Sequence, residues 1–154
     1  MSDETPALAE AAVQDVCRLM HDVAEARMSL EEARRGDEDR REAMLLRLLE
    51  VQDAFDRVFE ATHARPEAVT PQMKIWLGNF RSVRRLLDVL LKEEGVRPVE
   101  NLTGGFDPAW HTIADTVVDA ALAEGTIVRE VRHGFVRNQK VLRKAEVVVV
   151  KNTD

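Results

Sequence analysis

The chain has 154 residues, of which 32% are charged and 5% aromatic with no tyrosine, and its net charge is −6. Such a composition suits long helices and can bury an aliphatic core, which excludes intrinsic disorder and a collagen-like chain. The lone Cys17 excludes a disulfide framework, no stretch nears 18 apolar residues, and Met1–Thr5 lack the apolar core of a secretory leader. These features together predict a cytoplasmic protein that does not cross a membrane.

The first third reads as one helix over about residues 7–61. Val13, Val16, Met20, Val23, Leu30, Met44, Leu48, Val51, Phe55 and Val58 share one heptad frame, interrupted by Arg27, Arg34, Asp37 and Arg41. Gly36 costs about 1 kcal/mol in a helix. The pairs Glu31–Arg35 and Asp37–Arg41 offset it at about 0.2–0.5 kcal/mol each. The alternative is two helices hinged at 35–37. Pro66 and Pro71 then break the helix, and Thr70-Pro71 supplies a capping hydroxyl before a proline. A second helix carries Trp76, Phe80, Val83, Leu87 and Leu90 at helical spacing and ends at Gly95.

Beyond Arg97 the texture changes. Thr103-Gly104-Gly105 reads as a turn, and 108–123 fits helix or strand equally. From Gly125 the β-branched runs 126–128 and 147–150 predict a small antiparallel module with a turn near Asn138-Gln139. Charge divides along the same lines: −8 over residues 1–72, −2 over 73–125 and +4 over 126–154. The basic end suggests an acidic partner.

Few residues suggest chemistry. Asp107, His111 and Asp115 stand at i, i+4 spacing, which on a helix would align two carboxylates with an imidazole as a metal or acid–base site. A capping and packing role for them is favoured. His133, Arg137, Lys140, Arg143 and Lys144 form a basic patch with one aromatic, Phe135, fewer than a nucleic-acid surface normally shows. No constellation supports an enzyme, and no cofactor or metal is expected.

A run of short motifs carries a specific resemblance. Phe106-Asp107-Pro108-Ala109-Trp110-His111, Gly125-Thr126-Ile127-Val128, Gly134-Phe135, Val141-Leu142-Arg143 and Ala145–Val149 occur in the order and spacing of the GrpE family, the nucleotide exchange factors of DnaK-type chaperones. The likeness extends upstream through Leu45–Asp53 and Leu86–Leu90 to Gly95-Val96, and so covers about residues 44–151. It departs at Ile113, where a small residue is usual, at Gln139, where glycine or an acid is usual, and at Glu146, where methionine is common.

The resemblance implies an α+β fold: a long N-terminal helix and a helical hairpin forming a dimeric four-helix bundle, followed by a small C-terminal antiparallel β domain. Its parts would be 1–43, the N-terminal part of the long helix; 44–97, the dimerisation bundle; and 98–154, the β domain, with 111–117 a strand. The implied function is adenine nucleotide exchange, in which the β domain opens a DnaK-type nucleotide-binding domain and ADP leaves. Partner-binding residues would be Gly95, Phe106, Asp107, Pro108, His111, Gly134, Phe135, Arg143, Glu146 and Val147. The homodimer would be held by Leu48, Val51, Phe55, Trp76, Phe80, Val83, Leu87 and Leu90. The alternative is a dimeric helical scaffold whose basic hairpin binds nucleic acid or another acidic partner.

Overall fold

The computed structural model describes residues 4–100 and 105–152, with side chains from residue 13 onward. The expected turn at Thr103-Gly104 lies outside the described residues, as do Met1–Asp3 of the leader argument. The chain forms two compact units, Met1–Ala43 and Met44–Asp154.

The first unit is helix. α1 spans Glu4–Ala64 and runs through Gly36 as helix, so the hinged alternative is not adopted. Arg40 steadies this stretch, donating from Nε to the Gly36 carbonyl at 3.0 Å and pairing with Asp37 at 2.9 Å. Glu31 and Arg35 approach to 4.0 Å. Val13, Val16, Met20, Val23 and Leu30 are all exposed.

In the second unit the rest of α1 packs against α2, Pro71–Glu93, across a 3-10 turn at Pro66–Ala68. The Thr70 hydroxyl accepts from the Met73 amide at 3.2 Å, as a capping residue before Pro71 should. α2 is capped by Glu94, and Gly95 takes the left-handed φ of 78° that turns the chain into the β module.

Six strands follow: β1 Val96–Pro98, β2 His111–Val117, β3 Ile127–Arg132, β4 Phe135–Arg137, β5 Lys140–Arg143 and β6 Ala145–Val150. β1 straddles the expected 97/98 boundary. One sheet has the order β1-β4-β5, antiparallel throughout. The other has the order β2-β6-β3, where β3 pairs antiparallel with β6 but β2 runs parallel to it. The module is therefore mixed where an antiparallel one was expected. The strand assignment of 111–117 holds.

Two apolar cores result. Leu45 and Leu49 of α1, Leu91 of α2, Val96 and Phe135 form one, with Leu46, Leu48, Leu87 and Leu142 packed around it. Ala145, Val147 and Val149 form the other with Phe106 and Ile127. The buried stripe of α1 is Leu45, Leu49, Gln52, Asp53 and Phe59, one position off the apolar frame. Met44, Val51 and Val58 in that frame stay exposed.

Candidate partner-binding site

The β module is carried on α1 by ion pairs. Asp53, only 8% exposed, receives three short hydrogen bonds. Arg143 of β5 grips it with both terminal nitrogens, at 2.8 and 2.7 Å, and Arg132 of β3 adds its Nε at 2.8 Å. Burial alone would raise the Asp53 pKa, but the Arg143 and Arg132 guanidiniums outweigh it and hold the carboxyl below its ordinary value. Arg132 reaches on to Glu146 Oε1 at 3.3 Å. Arg143 also donates to the His133 carbonyl from Nε at 3.2 Å and from its second terminal nitrogen at 2.9 Å, and lies 5.4 Å over the Phe135 ring.

A second cluster flanks the first. His133 Nδ1 donates to Glu130 at 2.6 Å, and Glu130 accepts the Gly134 amide at 3.2 Å. Asp56 pairs with Arg84 of α2 at 2.9 Å and faces His133 at 3.9 Å. Burial pushes the Asp56 carboxyl up, and the charges of Arg84 and His133 pull it back only in part.

The sequence-selected residues divide by burial. Phe135 at 5% exposed and Val147 at 0% sit in the two cores and present no side chain to a partner. Gly134 is buried against β6, where a Cβ would lie 2.5 Å from the Ala145 nitrogen, so only glycine permits this approach. His111, 2% exposed, accepts the Asp107 amide at 3.0 Å on Nδ1, and its ring lies tilted 6.1 Å from that of Phe106. The Asp107 carboxylate accepts from Ala109 at 2.8 Å, and Lys144 donates to the Pro108 carbonyl at 2.6 Å. The segment 106–111 is thus a fastened turn feeding β2. Because 111–117 is strand, Asp107, His111 and Asp115 do not share a helix face: His111 is buried and Asp115 exposed.

Gly95 lies under the Asn138-Gln139 turn, where an added Cβ would meet the Asn138 side-chain oxygen at 2.8 Å. Arg137 Nε donates to the Glu94 carbonyl at 3.1 Å beside it. Glu146 is part-exposed and leans on Arg132 of its own chain, and Arg143 is turned inward. On the outer strands β2 and β3 of the β2-β6-β3 sheet, Ile113, Val117, Val128 and Val131 are each 37–46% exposed.

A GrpE family model matches residues 8–151. The chain belongs to the GrpE family. The match reaches well upstream of the resemblance read from residue 44, into the first unit. Among relatives, this GrpE chain is 30% identical over 143 residues to a mitochondrial GrpE protein homolog of Eremothecium gossypii, covering 89% of the chain and 66% of that protein. It is 31% identical over 105 residues to Protein GrpE of Rhodopseudomonas palustris, covering 68% of the chain and 51% of that protein. It is 24% identical over 146 residues to Protein GrpE of Methanothrix thermoacetophila, covering 85% of the chain and 82% of that protein. The chain thus spans only half to two thirds of the length of the first two.

Asp53, Glu130 and Arg132 escaped the sequence reading. The available signal was a carboxylate inside the apolar run Leu45–Phe59, in a chain whose far end is basic. No helix among the described residues is long and apolar enough to cross a membrane.

Proposed function

We propose that this GrpE-family chain is an adenine nucleotide exchange factor that acts on a DnaK-type chaperone by binding, with no covalent chemistry of its own. The observation that carries the reading is the family match over residues 8–151 together with a β module ion-paired to a long helix. A module so held binds an open nucleotide cleft better than a closed one and shifts that equilibrium toward ADP release. The part-exposed Glu146 and the exposed apolar residues of strands β2 and β3 are the surface we assign to the chaperone. Phe106, Asp107, Pro108, His111, Gly134, Phe135 and Val147 shape it from beneath, and Gly95 sets the junction with the helices.

Two copies make the working unit in this reading. Val51, Trp76, Phe80, Val83 and Leu90 are 42–57% exposed on the helical hairpin, an apolar surface that a second copy would cover. Leu48, Phe55 and Leu87 are half-buried at its margin, with Phe55 and Phe80 rings 6.2 Å apart. A cytoplasmic or equivalent reducing compartment suits the exposed, unpaired Cys17.

Nucleic-acid binding is the weaker reading because several of the module's basic groups are already engaged within the chain. Arg132 and Arg143 face Asp53, Arg137 faces the Glu94 carbonyl, and Lys144 faces the Pro108 carbonyl. The test is complex formation with the cognate chaperone. A complex should form with its ADP-bound or nucleotide-free state and dissociate on adding ATP, which favours the closed cleft. A chaperone that fails to bind in any nucleotide state would overturn the proposal.

A further inference from the structure

Asp53 is the point where both sheets meet α1. Its two oxygens are shared by Arg143, from the β1-β4-β5 sheet, and by Arg132, from the β2-β6-β3 sheet. Arg143 presents a planar fork to a carboxylate, so the contact fixes direction as well as distance. Arg132 is shared a second time, with Glu146 on the neighbouring strand β6. Among the described residues, the apolar core that joins α1 to the module brings Leu45 and Leu49 together with Val96, Phe135 and Leu142, the last three all on the β1-β4-β5 sheet. The β2-β6-β3 sheet has its own core of Ala145, Val147 and Val149, which includes no helix residue. Its described tie to α1 is therefore polar, and Arg132–Asp53 is the short member of that tie.

We propose that Asp53 is a positioning residue: by holding Arg132 and Arg143 at once, it fixes the angle at which the β module presents the β2-β6-β3 sheet and the Glu146 carboxylate. The inference rests on the reading of that sheet as the chaperone contact. It adds that the effective wedge depends on a residue 79 and 90 positions from the two arginines it holds. Removing the carboxylate takes away the anion the two guanidiniums share, leaves Arg132 with Glu146 alone, and unfastens both sheets from α1 at this point. Removing only Arg132 leaves the Arg143 fork in place and frees the β2-β6-β3 sheet alone.

The test uses the full chain with Cys17→Ser and spin labels at two exposed positions, Arg47→Cys on α1 and Val128→Cys on β3, diluted with unlabelled chain. The interspin distance distribution should be narrow in the parent protein and broadened or shifted in both Asp53→Asn and Arg132→Gln. In parallel, ADP release from the chaperone is measured at saturating protein. A mis-aimed wedge lowers the maximal release rate, expected to fall at least fivefold in both variants. A reduced folded fraction alone raises the concentration giving half effect and leaves the maximum untouched. Should Asp53→Asn not fold, by its circular dichroism, Arg132→Gln decides. An unchanged distance distribution with an unchanged maximal rate overturns the proposal. A parent protein that accelerates no release defeats the chaperone reading instead, and the distances then decide the positioning role alone.

Discussion

Gly134→Ala should destabilise the β module by about 2 kcal/mol, and the figure follows from the local geometry. A Cβ built on Gly134 lies 2.5 Å from the Ala145 nitrogen and 2.9 Å from its Cα and Cβ, whereas ordinary contact begins at 3.4 Å. The two backbones must part by about 1 Å to admit the methyl, and overpacking of this kind costs roughly 1–3 kcal/mol. Gly134 also accepts the Val99 amide at 2.9 Å and donates to Glu130 at 3.2 Å. Parting the strands weakens both bonds, at about 1 kcal/mol for each one lost. Against this, alanine restricts the unfolded chain and returns roughly 0.4–1 kcal/mol. The net loss should move the urea midpoint down by about 1 M, given a slope of roughly 1–3 kcal/mol per molar. Gly78→Ala is the internal contrast, because nothing lies within 4 Å of its added methyl on α2. That change should stabilise by about 1 kcal/mol through helix propensity alone. A Gly134→Ala midpoint at or above that of the parent chain would refute the close-approach argument.

Three further outcomes follow from other parts of the molecule. Asn138 and Gln139 both have positive φ, 49° and 71°, in a two-residue turn with Arg137 paired to Lys140. Gln139→Gly should therefore raise stability by about 1 kcal/mol in thermal melts, and a lower melting point would contradict the strain. Val83→Glu, at a half-exposed site on α2, should convert the proposed dimer to monomer in sedimentation at micromolar concentration, because a carboxylate there would be buried unpaired. A parent chain already monomeric would remove the paired architecture. Asp53 is held below its ordinary 3.8, so its stabilisation is whole above about pH 4 and is lost as pH falls through the folded value. Asp53→Asn should thus cost about 3 kcal/mol at pH 7 and progressively less below pH 3.8, and an equal deficit at both would contradict the pairing.

Local chemistry was legible in the sequence, and distant pairing was not. Thr70-Pro71 and Gly95 set the ends of α2 because a cap, a proline and a left-handed glycine act on their immediate neighbours. The heptad frame marked α1 as a helix but not its buried face. Gln52, Asp53 and Asp56 lie on that face, and polar residues are invisible to a pattern built from apolar ones. Their burial is made tolerable by Asp88, Arg84, Arg132, His133 and Arg143, which arrive from 28 to 90 positions away. The same distance hid the parallel pairing of β2 with β6. Phe135, Val147 and Arg143 were selected through the family's short motifs. A motif marks a place in the fold without saying which side of the sheet a side chain occupies. For Phe135 and Val147 the side is the core, and for Arg143 it is the ion pair with α1.

The central claim is that this chain drives nucleotide exchange, and release of a fluorescent ADP analogue from its own DnaK-type chaperone tests it most directly. In stopped flow with the chaperone preloaded with the analogue, release should accelerate with added protein until it saturates. A release rate that does not change at saturating protein, with the cognate chaperone shown to be folded and nucleotide-loaded, would contradict the account.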